Sequence, residues 1–277
     1  MIWRSATSSK QLARNELGAR QTISWIVCPR GIAPAASSAF KMLAVLFTIA
    51  SFGHVYAGTV AGYTQLIRSR DSAVRKKADL SGVVVWLTST ENPAQRTAGK
   101  HAQMLQKNKK FSPHILPIET GTSVDFPNLD PIFHNAFSNY DGQLFDVALY
   151  PPGSSRTVHF DRPGIVRVFC NIHPSMSAII VVVNSNHFTT TDRNGRYVLS
   201  HVTPGKYQLH FFHERATAET LLKLTQNIVV DDDNEPVKVA TVTISEAAYL
   251  PVAHKNKYGQ DYPVDGDKVD GYPLQIK

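Results

Sequence analysis

Apolar and polar positions alternate in short runs along most of this chain. Across residues 164–170, Val166, Val168 and Cys170 share one face while Arg167 and Phe169 share the other, and Phe145, Val147 and Leu149 alternate in the same way. Gly, Pro, Asn and Asp separate such runs every few residues, which is turn chemistry. Strands are expected over residues 82–88, 114–118, 123–126, 144–150, 156–160, 164–170, 177–184, 196–200, 206–212, 226–230 and 237–245. Residues 179–183 read IIVVV, the pattern of a strand buried on both faces. Helix is expected only as a turn or two near residues 94–107 and 216–223. Strands this short, with turns this frequent, predict an all-β chain of packed sandwiches rather than a parallel α/β sheet.

The amino terminus follows a different pattern. Residues 42–53 read MLAVLFTIASFG directly after Lys41, and the small-x-small exit Val55-Tyr56-Ala57 follows. A positive flank, a short apolar stretch and a small-residue exit predict a secretory signal over residues 1–57, cut after Ala57, and a periplasmic or secreted product. The apolar run is well short of the ~20 residues of a membrane span, so no stable span is expected after cleavage. The segment before it is long for such a leader, which leaves Met42 open as an alternative start.

That division changes the charge and the cysteine arithmetic. The chain of 277 residues carries a formal +7, but residues 1–57 hold six Lys/Arg and one acid, leaving 23 basic and 21 acidic residues in the remainder. A general polyanion binder is excluded on that balance, and no nucleic-acid partner is expected. Residues 58–110 keep ten basic against three acidic residues, read as a solvated face. Cys28 leaves with the leader, so Cys170 is alone and no intrachain disulfide can form. A lone thiol in an oxidising compartment is a liability unless buried or ligated.

Cys170 opens the segment Cys170-Asn171-Ile172-His173-Pro174-Ser175-Met176, which places a thiolate, an imidazole and a thioether three residues apart in a loop between two strands. That ligand mix suits copper. A second imidazole is needed, and His134 in Phe133-His134-Asn135 is the donor to expect. His114 reads as structural. His210 and His213 fall on opposite faces of a strand end and make no shared site, and His213-Glu214 is not the helical H-E-x-x-H of a zinc protease. No H-x-H pair occurs, which argues against a multicopper oxidase; the chain is not expected to be an enzyme.

Residues 110–135, KFSPHILPIETGTSVDFPNLDPIFHN, and 160–183, FDRPGIVRVFCNIHPSMSAIIVVV, resemble the two ends of a cupredoxin. The short C-x-x-H-x-x-M spacing is like that of amicyanin. The D-x-x-G-x-Y…P-G-x-Y pattern within residues 187–214 resembles the carboxypeptidase regulatory-like, transthyretin-type sandwich. The whole resembles secreted plastocyanin-like proteins often labelled methylamine utilization proteins, over roughly residues 58–245. The resemblance implies a Greek-key cupredoxin sandwich over residues 58–185, a smaller carboxypeptidase regulatory-like sandwich over 186–246, and an extended or disordered tail over 247–277. An alternative stays open, in which residues 58–88 complete the second sandwich and the cupredoxin is inserted into it.

It further implies one mononuclear type 1 copper site, with His134, Cys170 and His173 as equatorial ligands and Met176 as the axial one. Asn135 and Asn171 would stand behind the ligands, Asn135 tying the two ligand loops together. The His173 loop would reach the surface, ringed by Ile132, Phe133 and Pro174 as an apolar patch for a transient redox partner. The related proteins often carry Asp-Trp where this chain has Pro174-Ser175, which bears on the size and polarity of that patch. The implied role is one-electron transfer. The competing readings are a carbohydrate- or cell-wall-binding module with a degenerate cupredoxin, and copper storage or delivery.

Overall fold

The computed structural model describes residues 57–92, 99–139, 142–231, 235–250 and 253–268. All of the expected leader except Ala57 lies outside the described residues. Within them the chain is all-β, with only two short α-helices, Ser72–Arg75 and Ala218–Lys223. The expected helix near 216–223 is thus present: Thr217 caps it by accepting from the Thr220 N–H, and Lys223 pairs with Glu219 one turn earlier. Residues 99–107, the described part of the other expected helix, instead form the strands His101–Gln103 and Leu105–Gln106. His101–Gln103 adds a parallel edge to Thr122–Pro127, and that ladder overrides the modest helix propensity of its Ala and Gln.

Two sandwiches result. One sheet of the first runs Ile115–Glu119, Ser177–Val183, Gly164–Phe169, Phe137–Ser138, Phe145–Asp146; the other runs Ser155–Phe160, Thr122–Pro127, His101–Gln103. Val124, Phe126, Val166, Val168, Ile180 and Val182 fill the space between them. In the second sandwich, Gly58–Ile67 pairs antiparallel with Arg196–Val202 and parallel with Val237–Lys238 and Val242–Ser245. The facing sheet runs Phe188–Thr190, Val84–Ser89, Gly205–Phe212, Gln226–Val230. The chain therefore lays two strands in this sandwich, builds the other, and returns. Among the returning strands, the turn at Asp192 between Phe188–Thr190 and Arg196–Val202 needs Gly195: its φ is +75°, and a Cβ there would collide with the Thr64 carbonyl oxygen.

The strand Ser177–Val183 joins the two sandwiches. Ala178, Ile180 and Val182 point into the first core, while Ile179, Val181 and Val183 meet Val84 and Phe212 of the second sandwich in a shared apolar layer. This is the burial on both faces that IIVVV demands. Where the layer ends, the Glu246 carboxylate is buried and accepts from Ser69 Oγ (2.5 Å), His213 Nε2 (2.8 Å) and Arg215 Nε (2.9 Å).

Two predicted strands are broken, for local reasons. Of residues 144–150 only Phe145–Asp146 forms a regular strand; Asp146 Oδ1 accepts from the Ala148 N–H, Ala148 turns at φ +57°, and the pairing resumes one residue out of register at the Tyr150–His134 bridge. Residues 237–245 split into two strands that pair with successive parts of Gly58–Ile67. The described residues beyond 246 run in turns and one short 3-10 helix, Gly266–Lys268, beside the loop that carries Cys170.

Candidate metal centre

His134 is held from both ends. Its backbone forms a β-bridge with Tyr150, whose N–H donates to the His134 carbonyl at 2.9 Å; the Tyr150 hydroxyl in turn donates to the Phe126 carbonyl at 2.8 Å. The ring Nε2 lies 2.8 Å from Asp130 Oδ2. Asp130 is nearly buried and also accepts from the backbone N–H groups of Asn108 (2.6 Å) and Lys109 (2.8 Å). Burial would raise its carboxyl, but those two N–H groups and the His134 ring outweigh it and hold Asp130 below the usual carboxylate range. Burial pushes the His134 imidazole below its usual range, against the pull of Asp130. A neutral ring that donates from Nε2 to an ionised carboxylate keeps its Nδ1 lone pair free, the tautomer a metal ligand needs.

Cys170 follows the strand Gly164–Phe169 and Met176 precedes Ser177–Val183, so the ligand segment is the loop of one antiparallel hairpin. The Cys170 N–H donates to the Met176 carbonyl (3.2 Å) and the Met176 N–H to the His173 carbonyl (3.0 Å), which folds the loop on itself. His134 Nδ1 and His173 Nδ1 are 3.1 Å apart, and Cys170 Sγ lies 3.6 Å from the second and 3.9 Å from the first. A triangle with those sides has a circumradius of about 2.1 Å, which is the reach of a metal–imidazole bond and close to that of a metal–thiolate bond. Among the described residues this is the one convergence of three or more His, Cys, Asp or Glu ligand atoms. His134, Cys170, His173 and Met176 are all 0% exposed, and Met176 packs in the same core cluster as Cys170.

Asn135 bonds across to the Cys170 loop: its Oδ1 accepts from the Asn171 N–H at 2.6 Å, and its own carbonyl accepts from Gln106 Nε2 at 3.2 Å. The Asn171 side chain turns away from the ligands and accepts from the Lys257 N–H at 3.0 Å. Burial pushes the Cys170 thiol up, opposed by backbone N–H groups of Asn135, Ile172 and His173 directed at the sulfur. A dry pocket that disfavours free thiolate while aiming three donors at it suits a sulfur whose charge is shared with a bound cation. The donor set therefore fits copper: two imidazole nitrogens and a soft sulfur, buried and pre-positioned, with a thioether in the same core cluster.

Around the cluster, Phe133 is 43% exposed and Ile132 half-buried beside it; in the ligand loop Ser175 is exposed and Pro174 half-buried, while His173 itself is buried. The carbonyl of Pro174 accepts from His254 Nε2 (2.8 Å), and Gly266 packs against the Pro174 ring. These tail contacts and Asp130 were not read from the sequence. Asp130 had a usable signal, an acid four residues before a candidate ligand histidine; the tail residues had none. Three other histidines weighed in the sequence stay apart: His114 Nε2 pairs with Glu214, His210 stacks on Trp86, and His213 belongs to the Glu246 cluster.

Comparison with known proteins adds a partial likeness. No family model and no curated protein matches the chain. Solved structures similar to part of it include a purple cupredoxin from Nitrosopumilus maritimus, at 26% identity over 30% of this chain and 99% of that one, TM-score 0.28. Amicyanin from Paracoccus versutus is similar at 19% identity over 35% of this chain and 97% of that one, TM-score 0.29. A copper-containing nitrite reductase from Thermus scotoductus is similar at 24% identity over 35% of this chain, which spans only 25% of the reductase, TM-score 0.30.

Proposed function

We propose that this protein binds one copper ion through His134, Cys170, His173 and Met176 and serves as a one-electron carrier. The observation that carries this reading is the triangle of Nδ1, Nδ1 and Sγ atoms, whose centre lies a metal-bond length from all three. Bound copper would supply reversible cycling between its two common oxidation states. The chain's own part is to keep the donors still. Asp130 fixes the His134 ring, the two backbone bonds within the ligand loop fix Cys170 and Met176, and Asn135 fixes one loop against the other. Donors that are buried and cross-braced move little when charge changes, which keeps the reorganisation for electron transfer small. N–H groups of Asn135, Ile172 and His173 directed at the sulfur, together with the thioether, tune the potential.

The partner is a redox protein met transiently at Ile132 and Phe133, and the signal-like segment at residues 42–57 supports a place outside the cytoplasm. Among the described residues no helix is long and apolar enough to cross a membrane. Voltammetry of the copper-loaded protein tests the reading. A reversible one-electron wave is expected; stoichiometric copper that cannot be cycled would overturn the carrier role and favour storage or delivery.

A further inference from the structure

The described tail residues 253–268 cross the ligand loop and are bonded to it on both sides of His173. The Tyr262 hydroxyl donates to the Cys170 carbonyl at 2.9 Å, and the Lys257 N–H donates to Asn171 Oδ1 at 3.0 Å. Beyond His173, His254 Nε2 donates to the Pro174 carbonyl, and Asp267 Oδ1 accepts from both the Ser175 N–H (3.0 Å) and its hydroxyl (2.8 Å). The His254 ring stacks on Phe169, with centroids 4.0 Å apart. The same tail reaches residues that brace the other ligand loop: Lys109 Nζ donates to the Asp267 carbonyl at 2.8 Å, and Lys257 Nζ pairs with Asp146 at 2.7 Å. Asp146 is also bonded to the Asn135 side chain.

The close approach is set by Gly266. A Cβ at that position would stand 3.0 Å from Pro174 Cδ and 3.3 Å from its Cγ, so any side chain there presses the tail away from the proline by at least a few tenths of an ångström. Tail and ligand loop are joined by hydrogen bonds and one ring stack rather than by a shared apolar core, since none of the three apolar clusters of the described residues contains a residue beyond 246. An element held this way opens at lower cost than the sandwiches unfold.

We propose that residues 253–268 are a strap that closes the His173 side of the metal centre, so that the ligands are reached only after it lifts. The proposal rests on the metal-site reading for its biological sense, but the strap itself can be tested without copper. The sulfur of Cys170 reports on opening of the loop. In the copper-free full-length protein, alkylation of Cys170 by iodoacetamide is followed by peptide mass spectrometry, which separates it from Cys28. Two variants lift the strap by different means: Gly266→Val wedges it off Pro174, and Asp267→Ala removes both bonds to Ser175. Asp267 is exposed and outside both cores, so its variant keeps the sandwiches intact.

Cys170 in both variants is expected to react about tenfold faster than in the parent, the effect of losing two hydrogen bonds of ordinary strength, with unchanged thermal unfolding. Copper uptake measured on the same proteins should accelerate in the same order. Equal alkylation rates in parent and variants would overturn the strap and leave the metal site standing. Protected Cys170 in a parent that takes up no copper, released in the variants, would keep the strap and remove the metal-site reading.

Discussion

The side-chain oxygen of Asn135 accepts the backbone N–H of Asn171 at 2.6 Å, so the neighbour of one proposed ligand, His134, holds the neighbour of another, Cys170. Asn135→Ala leaves that N–H without its partner and should cost about 1–3 kcal/mol in stability. It should also loosen the spacing between His134 and the ligand loop. Denaturant unfolding checks the first effect. The second is read as a broadened visible band and a weaker copper affinity.

Asp130 would act on a bound copper ion through His134, whose Nε2 it holds at 2.8 Å. Asp130→Asn keeps the size of the side chain but removes the charge that fixes the Nε2–H tautomer. Copper affinity should fall about 10- to 100-fold, the usual effect of losing such an outer partner, while colour is retained. Competition with a chelator measures it. An unchanged affinity would mean that His134 is oriented by its bridge to Tyr150 alone.

Met176 is buried and of similar volume to leucine, so Met176→Leu should cost less than about 1.5 kcal/mol in stability. Three strong donors remain, and the copper protein should stay coloured. Its potential should rise, because a thioether that favours the higher charge has been replaced by an apolar group. Paired voltammograms give the answer, and a fall in potential would contradict the assignment of Met176.

Acid should destabilise the copper-free protein through the junction of the two sandwiches. Burial holds His213 below the usual histidine range, with Arg215 adding and Glu246 opposing. As pH falls through about 6.5 the unfolded chain takes up this proton first, and stability drops. For Glu246, burial would raise the carboxyl, but Ser69, His213 and Arg215 hold it below the usual range. Its contribution is present above the unfolded value of about 4.3 and is lost as pH falls through the folded one. His114 has the opposite sign: its bond to Glu214 raises it, so its contribution fades on the alkaline side. Unfolding free energies between pH 7 and pH 4 should therefore decline, and Glu246→Ala should remove about 3 kcal/mol at neutral pH.

Most of the candidate site was legible because it is compact in sequence: Cys170, His173 and Met176 occupy one hairpin loop, marked by hydrophobic alternation in the strand before it and by the IIVVV run in the strand after. The IIVVV strand was legible for a similar reason, since burial on both faces leaves no polar position. Asp130 was not read because the bond to His134 depends on a loop conformation that no periodicity records. The pairing of Gly58–Ile67 with Arg196–Val202 was open because strand propensity does not name a partner across an entire intervening sandwich. The tail was opaque for the same reason in stronger form. Its anchors, His254, Lys257, Tyr262 and Asp267, are isolated polar contacts spread through a segment without a repeating face.

The central claim is that His134, Cys170 and His173 hold one copper ion, and the visible absorption spectrum of the oxidised, copper-loaded protein tests it most directly. The account predicts an intense thiolate-to-copper band at one equivalent of metal, lost in Cys170→Ser because an alcohol cannot replace the soft sulfur. A folded protein that stays colourless and retains no stoichiometric copper would contradict it.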